Sequence, residues 1–203
     1  MPEYIHPLGD WPHFSWNPDA LASQLASVRL RQGQLIGRMQ GLGFPQQEEA
    51  VLTTLTEEVL KSSEIEGEKL DKDAVRSSLA RRLGIDAGAL SSTDRNVEGI
   101  VEMMLDATQN FKAELTAERL FGWHASLFPT GRSNMKKIAE GAWRDASAGP
   151  MQVVSDDHGR ERVHYEAPAA EKLNAEMTAF LDWYNTEEKI DPVIKAAIAH
   201  LCS

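Results

Sequence analysis

Cysteine is almost missing from this chain: Cys202, one residue from the end, is the only one. An internal disulfide is thereby excluded, and so is a metal site built from several thiolates. Long apolar runs are missing too. No stretch approaches the ~18 residues that a membrane-crossing helix needs, and the opening Met1-Pro2-Glu3-Tyr4-Ile5-His6-Pro7 lacks the charged-then-apolar pattern of a signal peptide. Basic residues are outnumbered, 21 against 31 acidic, for a net charge of -10 and a pI near 5.1. That deficit disfavours non-specific binding of DNA or RNA, although net charge does not report how charge is distributed. A cytoplasmic protein with neither nucleic-acid nor membrane partners is the simple expectation. Internal repeats and low-complexity tracts are likewise missing.

What is present is enough apolar material, 42% of residues against 26% charged, to build a sizeable helical core. The first sixteen residues hold Trp11, Phe14 and Trp16 among turn formers, an irregular arm whose aromatics need a surface. Asn17-Pro18 opens an amphipathic helix to about residue 40, with Leu21, Leu25, Val28, Leu35 and Met39 at helical spacing. A second helix runs from about Gln46 towards Glu66, with Val51, Leu52, Leu55, Val59 and Leu60 inward. Asp71 caps a third, closed by Gly84. Residues 84–92 read as a loop, and Thr93 or Asp94 starts a fourth helix. Thr116 caps a fifth, carrying Leu120, Trp123 and Leu127. Two β-favouring runs, Met151–Val154 and Arg162–Tyr165, flank a polar turn and predict a small hairpin. Helix returns after Pro168, and Asp191-Pro192 opens one more through Leu201. The fold class is mainly α, a multi-helix bundle with one small β-hairpin. The last apolar stripe runs to Leu201 without a glycine cap or a polar tail, which reads as a cut chain.

Catalytic motifs are scarce. No P-loop, Gly-x-Gly-x-x-Gly, His-Glu-x-x-His or Gly-x-Ser-x-Gly occurs. The six histidines are scattered, and His124 reads as a packed structural residue. Asp156-Asp157-His158 could hold a cation, but aspartates sit at hairpin turns for backbone reasons alone, so no metal site is expected. The segment Ser62-Ser63-Glu64-Ile65-Glu66-Gly67-Glu68 is the unusual one. Its carboxylates crowd the C-terminal end of a helix, where the dipole favours cations. A solvated acidic end and a carboxylate awaiting an arginine fork are both compatible with those residues.

The string Ser62-x-x-x-Glu66-Gly67 resembles the inhibitory motif of Fic proteins, [Ser/Thr]-x-x-x-Glu-[Gly/Asn]. Three further features follow in the family's order. Leu115 to Pro129 is similar to the opening helix of the Fic core. Gly141-x-Trp143-Arg144 and the following hairpin resemble its Gly-x-x-Arg stretch and target-binding flap. Ala196 to Leu201 resembles the helix that leads into the active-site loop. The arm and first helix resemble the extra domain before some bacterial Fic cores. The resemblance implies an N-terminal helical domain over residues 1–112, with an inhibitory helix at about 46–67. It implies the first part of a Fic core over 113–203, with the flap at about 150–166.

By the same resemblance, the function is that of an autoinhibited protein adenylyltransferase, moving AMP from ATP to a protein Ser, Thr or Tyr hydroxyl with Mg²⁺ as companion ion. Ser62, Glu66 and Gly67 take the inhibitory role, Val153 and Val154 dock the protein substrate, and a homo-oligomer is compatible. The family's loop, His-x-Phe-x-[Asp/Glu]-Gly-Asn-Gly-Arg, is nowhere in this sequence. No catalytic residue is therefore assigned, His200 is not taken for the base, and this chain by itself is expected to be inactive. The alternative is a non-enzymatic helical interaction or regulatory module.

Overall fold

The computed structural model describes residues 14–65, 67–86, 88, 95–128, 132–133, 136–137, 141–157 and 160–202. These form helices α1 (Pro18–Gln40), α2 (Phe44–Ile65), α3 (Lys72–Leu83), α4 (Arg95–Gln109), α5 (Ala117–Leu127), α6 (Ala170–Thr186) and α7 (Pro192–Cys202). A short 3-10 turn (Ala146–Ala148) and two antiparallel strand pairs accompany them: β1 (Arg132–Ser133) with β2 (Lys136–Lys137), and β3 (Gln152–Asp157) with β4 (Arg160–Glu166). The fold is mainly α with a small hairpin, as the periodicity predicted. The β1–β2 pair was not foreseen, because strands of two residues carry no alternation to read.

The chain divides into two compact units. One comprises Met1–Ala22, Leu115–Ala117 and Ala142–Ser203; the other comprises Ser23–Glu114 and Glu118–Gly141.

In the second unit, α2, α3 and α4 enclose a core of Leu52, Val59, Val75, Leu79 and Val101, all fully buried. Complete burial of such a side chain contributes about 2 kcal/mol. On α2 the inward face is Leu52, Thr56 and Val59. Thr56 is tolerated there because its Oγ1 donates to the Leu52 carbonyl at 2.6 Å. Val51, expected inward, is instead 39% exposed. Helix α3 takes the central place because it is lined with small residues (Ala74, Ser77, Ser78, Ala80) that let its neighbours approach. Asp71 caps its start, accepting from the Ala74 N–H at 2.8 Å, and Gly84 closes it in the left-handed region. The predicted start of α4 at Thr93 or Asp94 lies outside the described residues. Arginines on α3 reach out sideways: Arg76 to Glu49, Arg81 to Glu98, and Arg82 to Glu98 and Glu102. These pairs are partly exposed and contribute at most about 1 kcal/mol each; they set alignment more than stability.

In the first unit, α6 and α7 follow the hairpin. Asn185 of α6 makes a two-way amide pair with Leu115, accepting from its N–H and donating to its carbonyl, both at 2.9 Å. Lys195 of α7 donates to the Glu187 carbonyl at 2.7 Å beyond the end of α6, with its ammonium 4.9 Å from the Tyr184 ring centre. Asp191 caps α7 through the Val193 N–H at 2.8 Å.

Helix α1 carries the apolar stripe that its spacing predicts, with Leu21, Leu25 and Met39 half-buried and no residue fully buried. Val28 and Leu35 are 47% and 59% exposed. Helical spacing establishes that these side chains share a face; it does not supply a surface to cover them.

Candidate functional site

Two regions carry the residues singled out from the sequence, and they fall in different compact units. The inhibitory string occupies the end of α2. The Gly67 N–H donates to the Glu64 carbonyl at 3.0 Å, and the Glu68 N–H to the Ser63 carbonyl at 2.8 Å. These crossed bonds, with Gly67 at φ +85°, form a Schellman closure, which satisfies carbonyls that a helix end otherwise leaves orphaned. A Cβ at Gly67 would meet nothing within 4 Å, so the constraint there is conformational rather than steric. Glycine and asparagine enter the left-handed region most readily, which gives a physical reason for a Gly/Asn position directly after the glutamate. Ser62 is half-buried one turn earlier. Glu66 lies outside the described residues. Ile65, beside it, is 82% exposed. Lys61 donates to Glu64 at 2.6 Å, so one of the crowded carboxylates finds its cation within its own helix.

The hairpin holds Val153 and Val154 next to one another on β3, 57% and 42% exposed. Val153 pairs with Tyr165 and Val154 with Val163. The register therefore slips between them, and His164 becomes an additional residue in β4. Such a bulge twists a ladder locally. The His164 ring Nε2 sits 2.6 Å from Ser155 Oγ across the strands, tying the bulge down. The turn residues His158 and Gly159 lie outside the described residues, and the side chains of Asp156 and Asp157 are not described either, so the cation reading of that turn stands only as a sequence expectation. Among the described residues no group of three His, Cys, Asp or Glu could hold a metal ion. Upstream, Arg144 of the Gly141-x-Trp143-Arg144 stretch donates to the Pro168 carbonyl, linking the stretch before the hairpin to the start of α6.

Sequence reasoning missed two features. The first is an apolar cleft of about 670 Å³ in the first unit, where Phe14 and Trp16 of the arm face Phe180 and Trp183 of α6. Of the arm's aromatics, Phe14 and Trp16 do line a surface; Trp11 lies outside the described residues. What could not be read was which helix supplies it. The second is a network around Asp106 in the second unit. Its carboxylate accepts from Asn110 Nδ2, Arg119 Nε and Trp123 Nε1, each at 2.7 Å. These bonds, led by Asn110 and then Arg119, hold the Asp106 carboxyl down from its ordinary 3.8 to about 2. Arg119 and Trp123 lie well beyond Asp106 in sequence and on another helix, so no local motif announces them. His124 is packed, as expected, with its ring centre 4.9 Å from that of Phe128; its Nδ1 is buried without a hydrogen-bond partner among the described residues.

Among known proteins, residues 4–85 match the model of a family described as a domain of unknown function, DUF4172. That stretch takes in α1, α2 with the Ser62–Gly67 string, and α3. No curated protein matches the chain.

Proposed function

We propose that this chain is the front portion of an autoinhibited Fic-type protein adenylyltransferase, with the end of α2 as its inhibitory element and the β3–β4 hairpin as its target-binding flap. The observation that carries the proposal is the closure of α2. The Gly67 and Glu68 N–H groups bond back to the Glu64 and Ser63 carbonyls, closing the helix where the resemblance sets the motif's Gly/Asn position. An arginine fork engaged by that carboxylate is unavailable to the γ-phosphate of ATP, and its planar geometry makes the competition all-or-none. Glu66 is the carboxylate assigned this role. The hairpin supports the second half of the proposal: its exposed valines sit on a strand whose main chain can pair with an extended target segment.

ATP with Mg²⁺ would supply the AMP group. In this reading the chain's share is restraint and target docking, and the transfer chemistry falls to the family's His-x-Phe-x-[Asp/Glu]-Gly-Asn-Gly-Arg loop. A cytoplasmic setting goes with this proposal, since ATP is the donor. In a polypeptide that carries the loop, Glu66→Gly is expected to raise AMP transfer about tenfold or more, because loss of one charged fork is worth at least 1.4 kcal/mol. Unchanged transfer at saturating ATP would remove Glu66 from the role.

A further inference from the structure

Helix α6 sets one line of side chains along the apolar cleft of the first unit. Glu176, Phe180, Trp183 and Glu187 follow one another at intervals of 4, 3 and 4, so they share a face over roughly 16 Å of helix. The rings of Phe180 and Trp183 stand in the middle, their centres 6.1 Å apart, and a glutamate stands at each end. Phe14 and Trp16 of the arm face this line, and Ile198 of α7, 8% exposed, adds an aliphatic wall beside Cys202. A cleft of about 670 Å³ falls in the size range of small-molecule sites, which combine apolar and aromatic walls with a few polar groups that fix orientation.

We infer that this cleft binds a small organic cation, an ammonium group carried on an aryl or alkyl body. Charge selects that class. Among the described residues the lining holds two glutamates and no basic side chain, and residues 170–202 carry six acidic side chains against three lysines. An anionic ligand would meet like charge at either end of the cleft, and a neutral one would gain nothing from the carboxylates. Aromatic faces attract a cation through the ring quadrupole, and the same unit already holds one in this way: the Lys195 ammonium lies 4.9 Å from the Tyr184 ring centre. The two ends of the cleft differ. Glu187 Oε1 accepts from the Lys189 and Ile190 N–H groups at 2.6 and 3.3 Å, and the Glu187 carbonyl holds Lys195, so that carboxylate is fixed and already has donors. Glu176 is exposed and pairs with no cation among the described residues. The ammonium therefore lies towards Glu176 and Phe180, with the apolar body running over Trp183. The inference is independent of the adenylyltransferase proposal.

The test titrates the whole chain with phenylbutyltrimethylammonium, beside phenylbutanol and phenylbutyrate, which keep the apolar body and change the charge. Cys202 is the only cysteine and lines the cleft, so the rate of its alkylation by iodoacetamide reports occupancy while calorimetry gives Kd. The ammonium is expected to bind with a Kd on the order of 100 μM and to protect Cys202 at saturation. The alcohol and the carboxylate should bind about tenfold more weakly or worse. Glu176→Gln, at an exposed position that leaves the fold intact, should weaken the ammonium about threefold and leave the alcohol unchanged. Phe180→Leu, which keeps apolar bulk but removes the ring, should weaken the ammonium about fivefold. Equal affinity for the three probes, a preference for the carboxylate, Cys202 left unprotected through the millimolar range, or ammonium binding indifferent to both variants would each overturn the inference.

Discussion

Replacing Gly99 with alanine should lower the stability of the helical unit by about 2 kcal/mol or more. A Cβ built at Gly99 of α4 would lie 1.8 Å from the Ser126 carbonyl oxygen and 2.7 Å from its carbon. Both are backbone atoms of α5, so no side chain can rotate out of the way and the helix must move. Alanine gains about 1 kcal/mol of helix propensity over glycine. Overpacking against an immovable neighbour loses about 3 kcal/mol, and the loss wins. Thermal unfolding followed at 222 nm should show Tm falling by roughly 4 to 8 °C. Alanine at Gly33 or Gly37, in open helical positions, provides the control, with Tm unchanged or slightly raised. A Gly99→Ala protein as stable as its parent would mean that α4 and α5 do not cross at this point.

Arg119→Ala should be of similar size through a different mechanism. Helix α4 ends at Gln109, and its terminal carbonyls need donors. Arg119 ties this end to the turn that follows it: Nη2 donates to the Asp106 carbonyl of the last turn and to the Asn110 carbonyl just beyond at 3.0 and 3.1 Å, and Nη1 to that of Ala113 at 3.1 Å. Its Nε binds the Asp106 carboxylate at 2.7 Å, and its guanidinium carbon lies 5.0 Å from the Trp123 ring centre. Removing it strips a charged, mostly buried hub and leaves Asp106 without its cation, for a loss of about 2 to 3 kcal/mol. Arg119→Lys should recover little, because an ammonium cannot reproduce the fork.

The same network predicts an acid limb. Asp106 has its folded pKa depressed, from 3.8 to about 2, so its contribution is complete above the unfolded value and is lost as pH falls through the folded one. Stability attributable to Asp106 should fade between about pH 4 and pH 2, by about 1 kcal/mol once partial exposure is allowed for. Asp106→Asn should flatten that part of the curve. A parent and an Asn variant with the same acid limb would contradict the assignment.

The extent of the fold that could be read beforehand depended on the range of the interaction. Asp71 and Gly84 announce α3 because caps act within one turn, and the Leu52–Val59 spacing announces the buried face of α2. Thr56 escaped notice because its burial depends on a bond to its own helix. The α1 stripe was legible as a shared face, but not how far each member is covered, half for Leu21, Leu25 and Met39 and less for Val28 and Leu35, since what covers a face lies elsewhere in the chain. The bulge at His164 leaves no trace in the alternation of Val163 and Tyr165. The contact of Gly99 with Ser126 and the hub at Arg119 are tertiary, and nothing in the neighbouring residues marks them. For the candidate site, Gly67 could be read from its residue type, and its left-handed conformation supplies the physical reason for that choice. The mounting of Ser62 and the exposure of Val153 and Val154 required the structure.

The most direct test of the adenylyltransferase proposal is label transfer by a polypeptide that carries both Glu66 and the loop, supplied in parallel with ATP labelled at the α- or the γ-phosphate. The account predicts protein-bound label from the α-phosphate alone, faint with Glu66 in place and strong in Glu66→Gly. Label from the γ-phosphate, or none from either donor in both proteins, would contradict it.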